Sequence, residues 1–164
     1  MKKAVYPGSF DPITYGHMDI AKRALKVFDK LVILVSENPN KAGLFTAIEK
    51  KSLIERALEE HIDNIEVIIS HDLTVNSTKR LGATHIVRGL RAVTDFEYEF
   101  QLTHANRVLD KSIDSVFFMT AHKYSYLSST TVKEIAQFKG ELSHFVPEFV
   151  KNEIIRKLDQ NKEQ

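Results

Sequence analysis

Several short stretches of the chain hold residue types that suit phosphate chemistry. The first is Pro7-Gly8-Ser9-Phe10-Asp11-Pro12-Ile13-Thr14-Tyr15-Gly16-His17, where loop-forming residues break an apolar run and a histidine stands at the start of a helical pattern. The free amides and positive dipole end of such a helix attract anions, and the same dipole favours a neutral imidazole that donates one hydrogen bond to a phosphoryl oxygen. Gly16, just before His17, permits close backbone approach to a ligand. Thr14 and Asp11 have purely local uses as well, a helix cap and an Asx turn. Neither the P-loop pattern nor the dinucleotide-binding glycine pattern occurs here, so phosphate must be held by a different scheme.

Arg88-Gly89-Leu90-Arg91 sets two guanidiniums about a glycine directly after the Ile86-Val87 strand end. Each can fork two phosphate oxygens, which suggests two anionic groups or one large one. Lys41, in the loop Asn38-Pro39-Asn40-Lys41, adds a cation after an earlier strand. Tyr124-Ser125-Tyr126-Leu127-Ser128-Ser129-Thr130-Thr131 is rich in hydroxyls and opens a helix with Lys133 at the end of its first turn. Amides, hydroxyls and a cation together make an anion cradle, whereas a serine N-cap alone uses one hydroxyl and not four. Asp95, Glu97 and Glu99 follow one another by twos on a helix, and residues two apart do not share a face, so this is not a carboxylate pair set for acid–base work. Glu99 suits an adenine amino group or a ribose hydroxyl, or else a solvated helix face. The other histidines show no metal-ligand spacing.

The elements that must position these loops alternate along the chain. Strands are predicted over Lys3–Tyr6, Lys30–Val35, Ile65–Ile69, Thr84–Val87 and Ser115–Met119. Helices are predicted over His17–Phe28, Thr46–Glu60, Leu73–Leu81, Thr94–Leu109, Ser129–Phe138 and Pro147 to about Leu158. Such a series predicts an α/β fold: one open five-stranded parallel sheet, Rossmann-like, with helices on both faces. Ligands of these sheets sit beyond the carboxyl ends of the strands, and every candidate above follows a strand. Residues 1–158 form the expected domain and the polar stretch 159–164 an expected frayed tail.

A chain of 164 residues suffices for a conventional core. It has no cysteine, which removes disulfides, thiolate metal sites and cysteine nucleophiles. With 23 Lys and Arg against 22 Asp and Glu there is no global basic field for nucleic acid, so any anion site is local. No apolar run approaches a membrane span or a signal h-region, which predicts a soluble cytoplasmic protein without membrane partners.

Thr14-Tyr15-Gly16-His17 together with Leu127-Ser128-Ser129-Thr130-Thr131-Val132-Lys133 resembles the paired T/HxGH and ISSTxxR signatures of the nucleotidyltransferase superfamily. Within it, Tyr6 to Pro12 and Arg88 to Glu99 are similar to the bacterial phosphopantetheine adenylyltransferases, and the likeness spans about the whole chain. Leu127 stands in place of isoleucine and Lys133 in place of arginine, a change that loses the bidentate fork. The resemblance implies transfer of the AMP moiety of ATP to 4′-phosphopantetheine, giving dephospho-coenzyme A and pyrophosphate, in a homohexamer of coenzyme A biosynthesis. Magnesium would arrive on the ATP phosphates. By the same likeness His17 meets the α-phosphate in the transition state, and Lys41 and Arg88 bind the phosphate of 4′-phosphopantetheine. Arg91, Ser128, Ser129 and Thr130 hold the β- and γ-phosphates, and Gly89 and Glu99 the nucleoside end. Phe10, Leu90, Tyr124, Ser125, Tyr126 and Leu127 complete the ATP set. Ser9 bridges the two substrates, and Thr74 with Leu73 lines the pantetheine arm. A related nucleotidyltransferase that uses CTP or a nicotinamide mononucleotide acceptor shares the His17 and Ser128–Thr130 motifs, but Arg88 to Glu99 argues against it; a noncatalytic nucleotide sensor needs phosphate ligands but not His17 with Lys41.

Overall fold

Central strands of a parallel sheet read as continuous apolar runs because both faces are covered, and Leu31, Val32, Ile33, Leu34 and Val35 are all but completely buried. The computed structural model describes residues 1–37 and 42–162. Its strands are β1 (Lys3–Gly8), β2 (Lys30–Ser36), β3 (Ile65–Ser70), β4 (His85–Leu90) and β5 (Asp114–Met119), all parallel, in the order β3-β2-β1-β4-β5. The helices are α1 (Tyr15–Ala24), α2 (Ala47–Ala57), α3 (Thr74–Arg80), α4 (Val93–Leu109), α5 (Ser129–Gln137) and α6 (Glu148–Lys162). The winding reverses between β1 and β4, which makes their carboxyl ends the switch point.

Strand alternation sorts the core into two layers. Ala4, Tyr6, Ile33 and Val87 join Ile20 of α1, Ile54 of α2, Val132 of α5 and Ile154 of α6 in the main cluster. Val5, Val32 and Leu34 face the other way, and Ile86 meets Val75 of α3 there. The single α/β domain with a five-stranded parallel sheet stands as the sequence predicts.

Some boundaries differ for physical reasons. β4 runs on to Leu90, so Arg88 and Gly89 belong to the strand rather than to the loop after it. Their backbone positions are therefore fixed by the ladder with β5, Arg88 opposite Phe117 and Gly89 opposite Phe118. α6 continues to Lys162, so part of the expected frayed tail is helical; Arg156 donates to Gln160 one turn on, at 3.3 Å. α2 stops at Ala57 and a 3-10 turn, Glu59–His61, takes up its last predicted residues. Its start is the expected capping box, Thr46 N–H donating to Glu49 Oε2 at 2.9 Å.

Candidate active site

A cleft of about 340 Å³ opens at the switch point between β1 and β4. Tyr6, Pro7, Gly8, Ser9 and Phe10 form one wall, Arg88, Gly89, Arg91, Glu99 and Thr120 another, with Thr14, Gly16, His17 and Ile20 of the first helix and Leu127, Ser128, Ser129 and Thr130 closing it. Phe10 sits at φ 46°, which turns its ring back over Gly8; a Cβ on Gly8 would lie 2.9 Å from that ring. The ring also meets Tyr6 edge-on, with centroids 5.4 Å apart, and His17 at 5.0 Å. Gly89 is tight for a related reason: a Cβ there would come within 3.2 Å of Ile20, so its bareness lets α1 lie against the strand.

His17 is fixed by the cap of its own helix. Thr14 Oγ1 accepts from the His17 amide at 3.4 Å, and His17 Nδ1 accepts from the Thr14 amide at 3.1 Å, a capping box with an imidazole in place of the usual carboxylate. Because Nδ1 accepts a backbone N–H, the neutral ring carries its proton on Nε2. Burial, and then the Arg91 charge, hold its pKa down at about 4. The group is thus a neutral donor throughout the physiological range.

That depressed pKa has a signed consequence. Between pH 4 and 6.5 the unfolded chain binds the proton that the folded ring refuses, so stability present above the unfolded pKa is lost as pH falls through this window. Going from pH 7 to pH 5 should cost about 2 kcal/mol through His17. His17→Gln should flatten the urea midpoint across that interval; an equally steep profile in the variant would assign the slope to other groups.

The two arginines are each held by a carboxylate. Arg88 donates from Nε to Glu99 Oε2 at 2.6 Å, from NH2 to Glu99 Oε1, and from NH1 to the Pro7 carbonyl at 3.3 Å. Arg91 donates to Asp95 from Nε at 3.1 Å and to the Leu127 carbonyl from NH1 at 3.3 Å. A second cavity of about 100 Å³ shares Pro7, Arg88 and Glu99 with the cleft and is completed by Leu73, Thr74, Ile86, Leu102, Thr103, Asn106 and Ser115. The Arg88–Glu99 pair therefore lines both spaces.

At the far side Ser128 caps α5, its hydroxyl accepting from the Thr131 amide at 3.0 Å. Ser129 and Thr130 follow in the first turn, where amides have no intrahelical acceptor, so this end of the cleft offers N–H groups to an anion. Ser129 Oγ donates to the Pro12 carbonyl at 2.8 Å and ties α5 to the first loop. Asp11, 4% exposed, is the larger tie: it accepts from Leu44 N at 2.8 Å, Phe45 N at 2.9 Å and Lys133 Nζ at 3.1 Å. Burial alone would raise its pKa, but the Phe45 and Leu44 amides and the Lys133 ammonium outweigh that and hold the carboxyl below its ordinary range. Lys133 thus acts on Asp11, where a single ammonium contact suffices and a fork is not required. Lys133→Met should lower unfolding free energy by about 1–3 kcal/mol, since it strands part of a buried carboxylate's charge, and Lys133→Arg should restore most of it. A denaturant midpoint unmoved by Lys133→Met would show that the backbone donors suffice.

Of the residues singled out from sequence, the cleft gathers Ser9, Phe10, Thr14, Gly16, His17, Arg88, Gly89, Arg91, Glu99, Leu127, Ser128, Ser129 and Thr130. Thr74 and Leu73 line the adjoining cavity. Lys41 lies outside the described residues. Leu90, Tyr124, Ser125 and Tyr126 do not line the cleft: Leu90 is turned into the core, Tyr124 stacks on Tyr15 at 6.3 Å, Ser125 Oγ donates to the His122 carbonyl and Tyr126 meets Phe145 edge-on. Gly16 is not crowded, a Cβ there meeting nothing nearer than 3.5 Å. Sequence reasoning missed Ile20, Thr120, Leu102, Thr103 and Asn106, which carry no local motif, and the pairing of Asp95 and Glu99 with the arginines. The spacing Arg91 to Asp95, four apart, was the one available signal.

Residues 5–135 match the family model described as Cytidylyltransferase-like. Over 147 residues the chain is 51% identical to a phosphopantetheine adenylyltransferase of Lachnoclostridium phytofermentans, covering 90% of each chain. It is 47% identical over 161 residues to that of Caldanaerobacter subterraneus subsp. tengcongensis, covering 98% of this chain and 100% of the other. A putative nicotinate-nucleotide adenylyltransferase from Vibrio parahaemolyticus superposes with a TM-score of 0.72 over 95% of this chain and 93% of that one, at 14% identity, a likeness of fold. With its phosphate-scale cleft at the switch point and relatives of near-half identity along its length, the chain belongs to the cytidylyltransferase-like nucleotidyltransferases and, among them, to the phosphopantetheine adenylyltransferases.

Proposed function

We propose that the chain transfers the adenylyl group of ATP to the phosphate of 4′-phosphopantetheine, giving dephospho-coenzyme A and pyrophosphate. The observation that carries this reading is the joint between the two cavities: Pro7, Arg88 and Glu99 line both, so a nucleotide in the larger and an acceptor in the smaller bring their phosphates together at Arg88. The names of the relatives support the same two substrates.

The acceptor is a phosphate monoester with a second pKa near about 6, so at neutral pH it is largely a dianion and needs no strong general base. One of its oxygens attacks the α-phosphorus, the bond from that phosphorus to the α,β-bridging oxygen breaks, and the electron pair departs with pyrophosphate. The protein's part is in-line positioning and stabilisation of charge. His17 supplies an Nε2–H donor to the α-phosphate, neutral and already oriented by Thr14. Arg88 grips the acceptor phosphate together with Lys41; Arg91 and the first turn of α5 at Ser128, Ser129 and Thr130 take the β- and γ-phosphates. Gly89 borders the nucleoside end, Ser9 bridges the substrates, and Thr74 with Leu73 lines the pantetheine arm.

Among the described residues no group of three or more His, Cys, Asp or Glu is placed to hold a metal ion. Magnesium enters this reading as part of the Mg–ATP substrate. A homohexamer in the cytoplasm belongs to the same reading; the apolar residues left exposed on α4 and the edge strand, Phe96, Phe100, Val108, Leu109 and Met119, support association between copies, and sedimentation velocity checks their number.

The deciding experiment incubates purified protein with ATP, magnesium and 4′-phosphopantetheine and follows pyrophosphate and nucleotide products by mass spectrometry, with CTP and nicotinamide mononucleotide mixtures in parallel. Dephospho-coenzyme A formed only in the first mixture is the expected result. Turnover only in a parallel mixture overturns the acceptor, and ATP binding without pyrophosphate release overturns the catalysis.

A further inference from the structure

Arg88 is held in a particular way. Its Nε and NH2 both donate to Glu99, one to each carboxylate oxygen, and NH1 donates to the Pro7 carbonyl at 3.3 Å. Three of its N–H groups are thus taken among the described residues, and two remain, the number a guanidinium needs to fork a phosphate. Glu99 for its part is 8% exposed with both oxygens engaged on the arginine. Each oxygen accepts one N–H from the arginine and keeps a second acceptor site, and the pairing matches the charge of both groups and fixes their mutual orientation. Parting the pair to free it would leave two opposite charges buried and unpaired.

We propose that Glu99 is a positioning residue for the acceptor phosphate, locking the Arg88 guanidinium side-on so that its remaining N–H pair is presented at the joint of the two cavities. This rests on the reading above in which Arg88 binds the phosphate of 4′-phosphopantetheine, and it gives Glu99 a task other than the nucleoside contact that the resemblance implies. Placement supports it. Glu99 sits on α4 and Arg88 on β4, so the pair fixes the guanidinium against a helix as well as a strand. A free arginine side chain would have to be ordered at the moment of binding, and the prior pairing removes that cost from the binding step.

The test is a set of variants, Glu99→Gln, Glu99→Asp, Arg88→Ala and the Arg88→Ala/Glu99→Gln double, with affinities for ATP and for 4′-phosphopantetheine measured separately by calorimetry and as KM. Glu99→Gln is expected to weaken 4′-phosphopantetheine by about tenfold while ATP moves less than about twofold, and Glu99→Asp, which keeps the charge on a shorter arm, should recover part of the loss. In the Arg88→Ala background the Glu99→Gln change should add nothing to the acceptor loss, because its route to the acceptor is gone. If Glu99→Gln does not fold, Glu99→Asp carries the test by the same split between the two substrates. A loss on ATP instead of the acceptor would overturn the proposal in favour of a nucleoside contact. Tighter acceptor binding in Glu99→Gln would overturn it too, by showing that the carboxylate competes with the phosphate. Unchanged acceptor affinity in Arg88→Ala would bring down the Arg88 reading itself, an outcome distinct from either of those.

Discussion

His17→Ala lowers kcat by about three orders of magnitude and leaves the affinity for ATP within about twofold: this is the largest effect the structure leads us to expect. The magnitude is that of removing one prearranged donor from a developing oxyanion, roughly 10²–10³. The asymmetry follows from the ring's neutrality. In the proposed reading the charge of ground-state ATP faces Arg91 and the first turn of α5, so a donor without net charge adds little to its hold but gains as charge builds at the α-phosphate. Loss of the imidazole also takes an acceptor from the Thr14 amide, a cap worth about 1 kcal/mol, which is too little to unfold the domain. Single-turnover rates beside equilibrium nucleotide binding make the separation. Equal losses in binding and in turnover would place His17 on the ground state and remove it from the transition state.

Arg88→Ala should weaken 4′-phosphopantetheine by about a hundredfold or more, the usual consequence of deleting one member of a desolvated charge-assisted contact. ATP should be affected far less, since the proposed reading gives its phosphates to Arg91 and the first turn of α5. The same change strands Glu99 at 8% exposure, so a stability loss of about 3 kcal/mol should accompany it. Arg88→Lys keeps a cation and gives up the fork, and should fall between the two. Direct titration of the acceptor onto the nucleotide-free protein reads the effect; an unaltered affinity would move the acceptor phosphate elsewhere.

Much of this architecture was legible from the chain. The buried runs Leu31–Val35 and Ile86-Val87 are apolar on both faces and bounded by turn formers, so strand existence and direction could be read without contacts. His17 was legible for the same local reason, since a cap and its dipole are properties of neighbouring residues. What stayed hidden were ties between distant residues. Asp11 meets partners 33, 34 and 122 positions away, and nothing in an Asp-Pro pair announces which amides it will receive. Glu99 looked like a helix residue facing solvent or ligand because its partner lies eleven positions back, across a loop and on a strand. Within 124–131 the hydroxyls of Ser125, Ser128 and Ser129 each have a backbone partner that the sequence did not announce, so the first-turn amides of α5 carry more of the anion cradle than the count of hydroxyls suggests.

The imidazole locked into the cap of α1 has a consequence for how such an enzyme meets changes in acidity. With Nδ1 committed to Thr14 and the pKa near 4, the group that the proposed reading sets at the reacting phosphate does not titrate in the range where cells live. The proton that matters is then the one on the acceptor's own phosphate. A rate profile against pH reports the reactant rather than the catalyst: replacing the acceptor by an analogue of different acidity would slide the whole curve along the axis, with the protein left as a fixed electrostatic mould.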